Sequence, residues 1–193
     1  MKRAIKISLE FTTVSKRKRI AALLEAYRGA VNFYIRSLWI ERGTLDKVTL
    51  ARLPDSQTRL TNRYKAQALK QAIDIVVATR KAAKATGIPA SCPVFQGAAI
   101  LDAKFVTIEK GKGSFDLAIR LSTLHSGHRM TILTKSTAVL NRWMSMPLAK
   151  LIQGCALSED SLILWVDCRY GRRTEYPRSY LTHSRELRVP DAF

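Results

Sequence analysis

KRAIKISLEF, residues 2–11, decides the fold through the change of pattern that follows it. Apolar and polar residues alternate along this stretch, as they do in a strand with one buried face. From Ser15 to Glu41 the apolar residues instead recur at helical spacing, with Ser15 as an N-cap and Gly43 as a terminator. The sequence therefore predicts one strand that is followed directly by a long helix.

A second helical pattern follows the first. It runs from about Thr58 to Ala85 and ends at Gly87 and Pro89. Between the two helices, a short element around Leu45–Leu53 is cut by Pro54. Residues 14–90 are therefore predicted to form a helical block.

After this block the strand pattern returns. SFDLAIRLS, residues 114–122, alternates most clearly, and the glycine-rich KGKGS joins it to AILDAKFVTIE, residues 99–109, as a hairpin. RMTIL, residues 129–133, follows through a second turn. STAVLNRWMSM, residues 136–146, is predicted to be a short helix or an irregular bridge. Residues 149–166 indicate a last hairpin that turns at 158–161.

These patterns predict an α+β fold, in which a small antiparallel β-barrel carries an inserted helical domain. Closure into a barrel is expected because it removes the free edges of the strands. The predicted division is residues 1–13 as the first barrel strand, 14–90 as the helical insertion, 91–168 as the remaining barrel strands and 169–193 as a basic tail. Helices inserted into a barrel, both of them basic, suggest a clamp with two jaws.

The charge of the chain favours a polyanionic partner. Lys and Arg outnumber Asp and Glu by 33 to 15, which gives a formal net charge of +18. Such an excess repels itself in the folded state, and neutralising phosphates would relieve that repulsion. Nucleic acid is the leading candidate, and a basic solvated surface without a specific partner is the alternative. For any nucleic-acid role, the binding affinity should fall steeply as the salt concentration rises.

The sequence predicts a reduced, cytoplasmic protein without a membrane segment. The basic start MKRAIK leads into an alternating segment, which is not the pattern of a secretory leader, and no apolar run is long enough to cross a bilayer. Cys92, Cys155 and Cys168 form no CxxC pair, so neither a zinc site nor a disulfide framework is expected. His125 and His128 are better explained by a turn than by a metal site.

Catalytic residues are not evident. A two-metal nuclease would need three or four carboxylates that converge from different elements, and the fifteen carboxylates are scattered. Asp167, at the end of the apolar run LILWV, is the one residue that resembles a member of such a set. We therefore predict no catalytic residue, metal or cofactor, and a nuclease that uses Asp167 is kept as a minor alternative.

Residues suited to nucleic acid are frequent. The cations of SKRKR, residues 15–19, precede a helix rich in aromatic residues, of which we expect Tyr34 to be more exposed than Phe33. DSQTRLTNRYKAQ, residues 55–67, mixes base readers with phosphate binders, although a helical turn rich in capping residues is equally compatible. Trp143 could stack on a base, but is expected to plug the barrel. The candidate nucleic-acid-binding residues are Lys2, Arg3, Lys6, Lys16, Arg17, Lys18, Arg19, Asn32, Tyr34, Gln57, Arg59, Asn62, Arg63, Lys65, Lys104, Lys110, Lys112, Arg120, Arg129, Lys135 and Arg142.

Taken in order, these segments resemble the N-terminal half of the TnpB nucleases and of the type V CRISPR effectors. The likeness covers roughly residues 1–168 and rests on the order of several short motifs. PVFQG, residues 93–97, is similar to the segment that enters the returning barrel strands, although Gln96 stands in place of the usual cation. The other stretches are KRAIKISLEF (2–11), AYRGAVNFYIRSL (26–38), SQTRLTNRYKAQALKQAIDIVVATRKA (56–82), FDLAIRLSTLHSGHRMTIL (115–133) and LIQGCALSEDSLILWV (151–166).

The resemblance implies a wedge domain formed by the barrel and a recognition domain formed by the helices, which together bind guide RNA and target double-stranded DNA. In that family a RuvC nuclease domain follows, opening with Asp-x-Gly. Here LILWVDCRYG lacks that glycine, and the basic residues 169–193 leave no room for such a domain. The expectation is an RNA-guided DNA-targeting subunit in the prokaryotic cytosol that does not cleave by itself and works with a separate RuvC-bearing chain or with a second copy. On this view Asn32, Tyr34, Gln57, Arg59 and Asn62 are candidates for reading the DNA motif beside the target.

A second hypothesis is a stand-alone RNA- or DNA-binding protein, such as a ribosome-associated factor or a repressor. Sequence-specific duplex binding by RNA-free protein would favour it. A defined small RNA that co-purifies with the protein would instead favour the RNA-guided subunit.

Overall fold

The chain folds as an α+β protein in the predicted order of one strand, helices and further strands. The computed structural model describes residues 2–41, 60–124 and 127–168. Its elements, in order, are β1 (Lys2–Ser8), α1 (Val14–Glu41), α2 (Asn62–Thr86), β2 (Ala99–Asp102), β3 (Val106–Lys110), β4 (Leu117–Ser122), β5 (Arg129–Thr134), α3 (Ala138–Met144), β6 (Ala149–Leu157) and β7 (Ser161–Cys168). The predicted short element around Leu45–Leu53 lies outside the described residues.

The first strand pairs with the last described strand. An antiparallel sheet has the order β1-β7-β6-β2, and β1 aligns along β7 from Lys2 opposite Asp167 to Ser8 opposite Ser161. Because α1 and α2 lie in the chain between β1 and β2 of this same sheet, the helices are an insertion into it, as predicted. The predicted last hairpin is also confirmed, since β6 and β7 pair across residues 158–160.

The predicted closed barrel is not confirmed. Strands β3, β4 and β5 form a separate antiparallel sheet, so the described residues contain two sheets. Two side chains bridge these sheets. The Gln153 amide of β6 accepts from Ile108 N at 2.6 Å and donates to Ile108 O at 3.1 Å, and the Thr134 hydroxyl of β5 donates to Ser8 O at 3.3 Å. The two sheets are therefore linked by side chains where a closed barrel would have continuous ladders.

Residues 99–109, which were expected to form one strand, form two. Asp102 ends β2, and its carboxylate accepts from Lys104 N at 2.8 Å within a turn that closes with Phe105 N bound to Asp102 O at 3.0 Å. Phe105 and Val106 are both buried, which breaks the alternation that a single strand requires. The turn moves the chain from the first sheet to the second.

The two long helices pack against each other through a largely apolar face. α1 begins at Val14, one residue before the predicted N-cap, and α2 begins at Asn62 after the extended Thr61, later than the predicted Thr58. Gly87 ends α2 in the left-handed conformation at φ 70°, which confirms its predicted role. Among the described helices, none has the length and apolar character needed to cross a membrane.

Gln71 of α2 joins the helices to the first sheet. Its side-chain oxygen accepts from the Tyr27 hydroxyl of α1 at 2.8 Å and from Ile100 N at 3.2 Å, while its nitrogen donates to Ala98 O at 3.1 Å. Gln71 is 7% exposed, so these hydrogen bonds are shielded from solvent. A single buried amide thus fixes both helices against β2.

Candidate nucleic-acid interface

A cleft opens where the N-terminus of α2 meets the turn between β4 and β5. It has a volume of about 470 Å³. Of the described residues that line it, none is acidic, and the basic ones are Arg63, His128 and Arg129. The described lining residues are Thr61, Asn62, Arg63, Tyr64, Phe105, Ser122, Thr123, Gly127, His128 and Arg129.

The cleft brings together cations that are far apart in the sequence. Arg63 belongs to the helical insertion, and Arg129 begins strand β5. Tyr64 fixes the distance between these elements, because its hydroxyl donates to Ser122 O at 2.7 Å and its ring lies 4.4 Å from that of Phe105. Asn62, Arg63 and Arg129 are thus the sequence-predicted candidates that the fold assembles into one cleft.

The N-terminus of α2 adds to the positive potential of the cleft. Amide groups of the first helical turn have no carbonyl partner within the helix, so a helix N-terminus carries a partial positive charge. Thr61 occupies the N-cap position, but its side chain makes no capping hydrogen bond. No Asp or Glu lies in the first turn. An anionic group in the cleft would therefore face both side-chain and backbone donors.

The basic start of α1 contains one structural cation and three solvent-facing ones. The Arg17 guanidinium donates to the carbonyls of Leu9 at 3.3 Å, Glu10 at 2.6 Å and Thr12 at 3.0 Å, which holds the loop after β1. Lys18 and Arg19 are exposed and Lys16 is half-buried. The cations of this segment are thus split between fixing the loop and facing solvent.

Other candidate cations lie on or near the second sheet. Lys110 and Lys112 are exposed at the connection between β3 and β4. Lys135, which follows β5, has its amine 5.7 Å from the ring centre of Phe11. Arg120 is paired with Glu109 at 3.1 Å, so its charge is partly neutralised.

Tyr34 was predicted to be the exposed aromatic of α1, and this is wrong. Its side chain is fully buried, whereas Phe33 is half-buried. Tyr34 continues the helical stripe that contains Tyr27 and Val31, so it faces α2 and the core, and burial raises the pKa of its hydroxyl to about 12. A base cannot stack on Tyr34 in this structure.

Asn32 is used within the fold. Its amide accepts from Phe95 N at 2.7 Å and donates to Phe95 O at 3.0 Å, which pins the PVFQG segment to α1. Gln57 and Arg59 lie outside the described residues. The patch for reading a DNA motif, which was predicted to combine these residues with Tyr34 and Asn62, is therefore represented in the described structure by Asn62 alone.

The other candidates are distributed over the surface. Lys2 and Lys6 are exposed on β1, and Lys6 lies 3.8 Å from Asp160. Arg3 places its guanidinium 5.4 Å from the ring centre of Trp143, which is half-buried against the core. Lys65 is half-buried on α2, while Lys104 and Arg142 are exposed.

Asp167 has the surroundings of a structural residue. It is half-buried near the end of β7, directly opposite Lys2 of β1 and Lys150 of β6. Among the described residues, no group of three or more His, Cys, Asp or Glu side chains could hold a metal ion. Opposite charges directly across neighbouring strands stabilise a sheet, which accounts for a carboxylate at this position.

Sequence reasoning missed Phe11, Phe115 and His128. Phe11 was treated as the end of a strand and Phe115 as part of the alternation of β4, but both lie outside strands and contact each other with ring centres 6.0 Å apart. His128 was assigned to a turn, and that turn lines the cleft. The basic residues near each of them were the available signal.

No family model matches the chain, and no curated protein matches it.

Proposed function

We propose that this protein binds nucleic acid through the cleft between α2 and the β4–β5 turn. The observation that carries the proposal is the meeting of Arg63 from the helical insertion with Arg129 from the sheet, in a cleft whose described lining has no carboxylate. The net charge of +18 supplies the long-range attraction for a polyanion.

The few ion pairs support the same proposal. Within the described residues, three pairs join side chains, and they use Lys6, Arg28 and Arg120. Arg63 and Arg129 are not among them. Unneutralised cations release counterions when they bind phosphates, and this release is the main source of affinity in such complexes.

More specifically, we propose a subunit of an RNA-guided, TnpB-like or type V-like complex, which binds guide RNA and target DNA without cleaving. The pairing of β1 with β7, with both helices inserted between β1 and β2, is the arrangement that the resemblance implies for a wedge and a recognition domain. The bridges made by Gln153 and Thr134 hold the two sheets of the proposed wedge domain together. A defined small RNA that co-purifies with the protein is the expected result. RNA-free protein that binds one duplex sequence specifically would instead establish a stand-alone binder.

The cleft is tested by removing its charges. The double variant R63Q/R129Q should weaken binding to a mixed-sequence RNA and make the plot of log K against log salt shallower by about 1.4 to 1.8, which is the loss of two phosphate contacts. The matched control is K81Q/K84Q, which removes two exposed cations near the other end of α2. Equal losses in both double variants would show that only overall charge matters, and the cleft would be rejected.

A further inference from the structure

A second surface combines an exposed aromatic ring with cations. Phe11, in the loop between β1 and α1, is 44% exposed. Its edge-to-face contact with Phe115, at an interplanar angle of 70°, holds the ring in place. We call Phe11, Arg17, Lys112, Phe115 and Lys135 the Phe11 patch.

The cations of the patch come from three parts of the chain, and Lys135 is the one that contacts the ring. Lys135 lies against the ring from the end of β5. Arg17 is fixed beside the backbone of Phe11 by its bonds to the carbonyls of Glu10 and Thr12, the residues on either side of Phe11. Lys112 lies in the hairpin turn, where its carbonyl accepts from Phe115 N at 3.3 Å. The arrangement is therefore built by tertiary contacts as well as by the basic run of α1.

Two carboxylates lie near these cations and offset part of their charge. Glu10 is exposed, next to Phe11 in the chain. Asp116 accepts from both the backbone N and the hydroxyl of Ser136, at 2.8 and 3.1 Å, and these bonds lower the pKa of its carboxyl. The nearby Lys135 amine also lowers this pKa, so the Asp116 carboxylate is charged and offsets part of the charge of Lys135. Lys16 and Lys18, in the first turns of α1, add further positive charge within a few residues of the ring.

We propose that the Phe11 patch binds unpaired nucleotides, with a base stacked on Phe11 and the flanking phosphates bound by Lys112 and Lys135. An exposed ring among cations suits single strands, because stacking requires a free base face and is indifferent to sequence. A duplex presents its phosphates but conceals its base faces. This inference rests on the proposed function and extends it from the cleft to a second contact that selects single strands.

The test compares Phe11 variants of the full chain, by fluorescence anisotropy, on 12-nucleotide oligo(U), 12-nucleotide oligo(dT) and a 12-base-pair duplex. The variant F11L removes the ring and should weaken binding to both single strands at least about fivefold, the lower end of the value of one stacked base. F11W keeps a stacking surface and should bind as well as the unaltered protein or better. Affinity for the duplex should not change in either variant.

The outcomes separate this inference from the proposed function. If F11L binds single strands within twofold of the unaltered protein, or loses duplex affinity equally, the inference is overturned while the cleft stands. If the unaltered protein binds the duplex but neither single strand, the inference is likewise overturned and the cleft stands. If it binds no nucleic acid, both proposals fail. A concentration-dependent dimer that F11L abolishes would show that a second copy covers the patch, which also overturns the inference.

A second measurement does not depend on how any variant folds. Oligo(U) that carries 5-iodouracil is irradiated with the unaltered protein, and the cross-linked peptide is identified by mass spectrometry. We expect the cross-link at Phe11 or Phe115. Cross-links that lie only at the cleft, on the peptides of Tyr64 or His128, would contradict a stacking role for the patch.

Discussion

The substitution Q71L tests how the helical insertion is held against the sheet. It removes the three hydrogen bonds that the Gln71 amide makes with Tyr27, Ala98 and Ile100. At about 1 kcal/mol net for each bond, the free energy of unfolding should fall by about 3 kcal/mol. The loss is large compared with the total stability of a domain, which is typically about 5–15 kcal/mol.

Equilibrium unfolding in urea measures this loss. With an m-value of about 2 kcal/mol/M, the midpoint should fall by about 1.5 M. The matched control is Q67L, one helical turn earlier, whose single bond to Ile100 O at 2.9 Å is exposed and whose loss should cost no more than about 0.5 kcal/mol. Both variants lose a side-chain amide, so a difference in their stability reflects the burial of that amide and the number of its hydrogen-bond partners.

A double-mutant cycle isolates the bond between Tyr27 and Gln71. Y27F should cost about 1 kcal/mol in the unaltered protein and close to nothing in Q71L, where the hydroxyl has already lost its acceptor. The reasoning would be refuted if Q71L were as stable as Q67L, or if the effects of Y27F and Q71L simply added. Either result would mean that the amide does not join the helices to β2.

Two further predictions concern the backbone and pH. Gly154 has φ 133°, and an added Cβ would lie 2.7 Å from Leu101 O, so G154A should lower the free energy of unfolding by about 2 kcal/mol or more. G29A on α1, where the space around the glycine is open, should raise the free energy of unfolding slightly. Urea midpoints of the two variants that move in the same direction would contradict this. Burial raises the pKa of the Cys155 thiol and of the Tyr34 hydroxyl to about 12 each. Because the unfolded groups ionise first, near pH 8.5 and 10, stability should be unaffected below about pH 8.5 and fall as pH rises toward 12. C155A should make that fall shallower in urea titrations between pH 8 and 11, and an unchanged slope would exclude the thiol as a cause.

The order of elements was predictable because it depends on local periodicity. Alternation identified β1 and β4, helical spacing identified α1 and α2, and Gly87 marked the end of α2. The division of residues 99–109 was harder to predict, because the short turn at Asp102 sits within an apolar run. The adjacent burial of Phe105 and Val106 was the one local sign of it.

The candidate site was predictable as a set of residue types but not as a place. That Arg63 and Arg129 share a cleft depends on the contact of Tyr64 with Ser122, which no local pattern encodes. Tyr34 is a different kind of error, since its spacing from Tyr27 and Val31 already placed it on the buried stripe. The exposed ring of Phe11 was missed because it lies just beyond the alternating stretch, where periodicity no longer assigns a face.

The pairing of β1 with β7 has a consequence for the order in which the molecule assembles. Residues 2–8 pair with residues 161–168, which are synthesised later. At a synthesis rate of about 5–20 residues per second, β7 emerges from the ribosome about 8 to 30 s after β1. Helices form in about a microsecond, so α1 and α2 can form while the edge of β1 is still open. During that interval the hydrogen-bonding edge of β1 is open to pairing with another strand. Completion of the first sheet is thus a late, long-range event in the biogenesis of this protein.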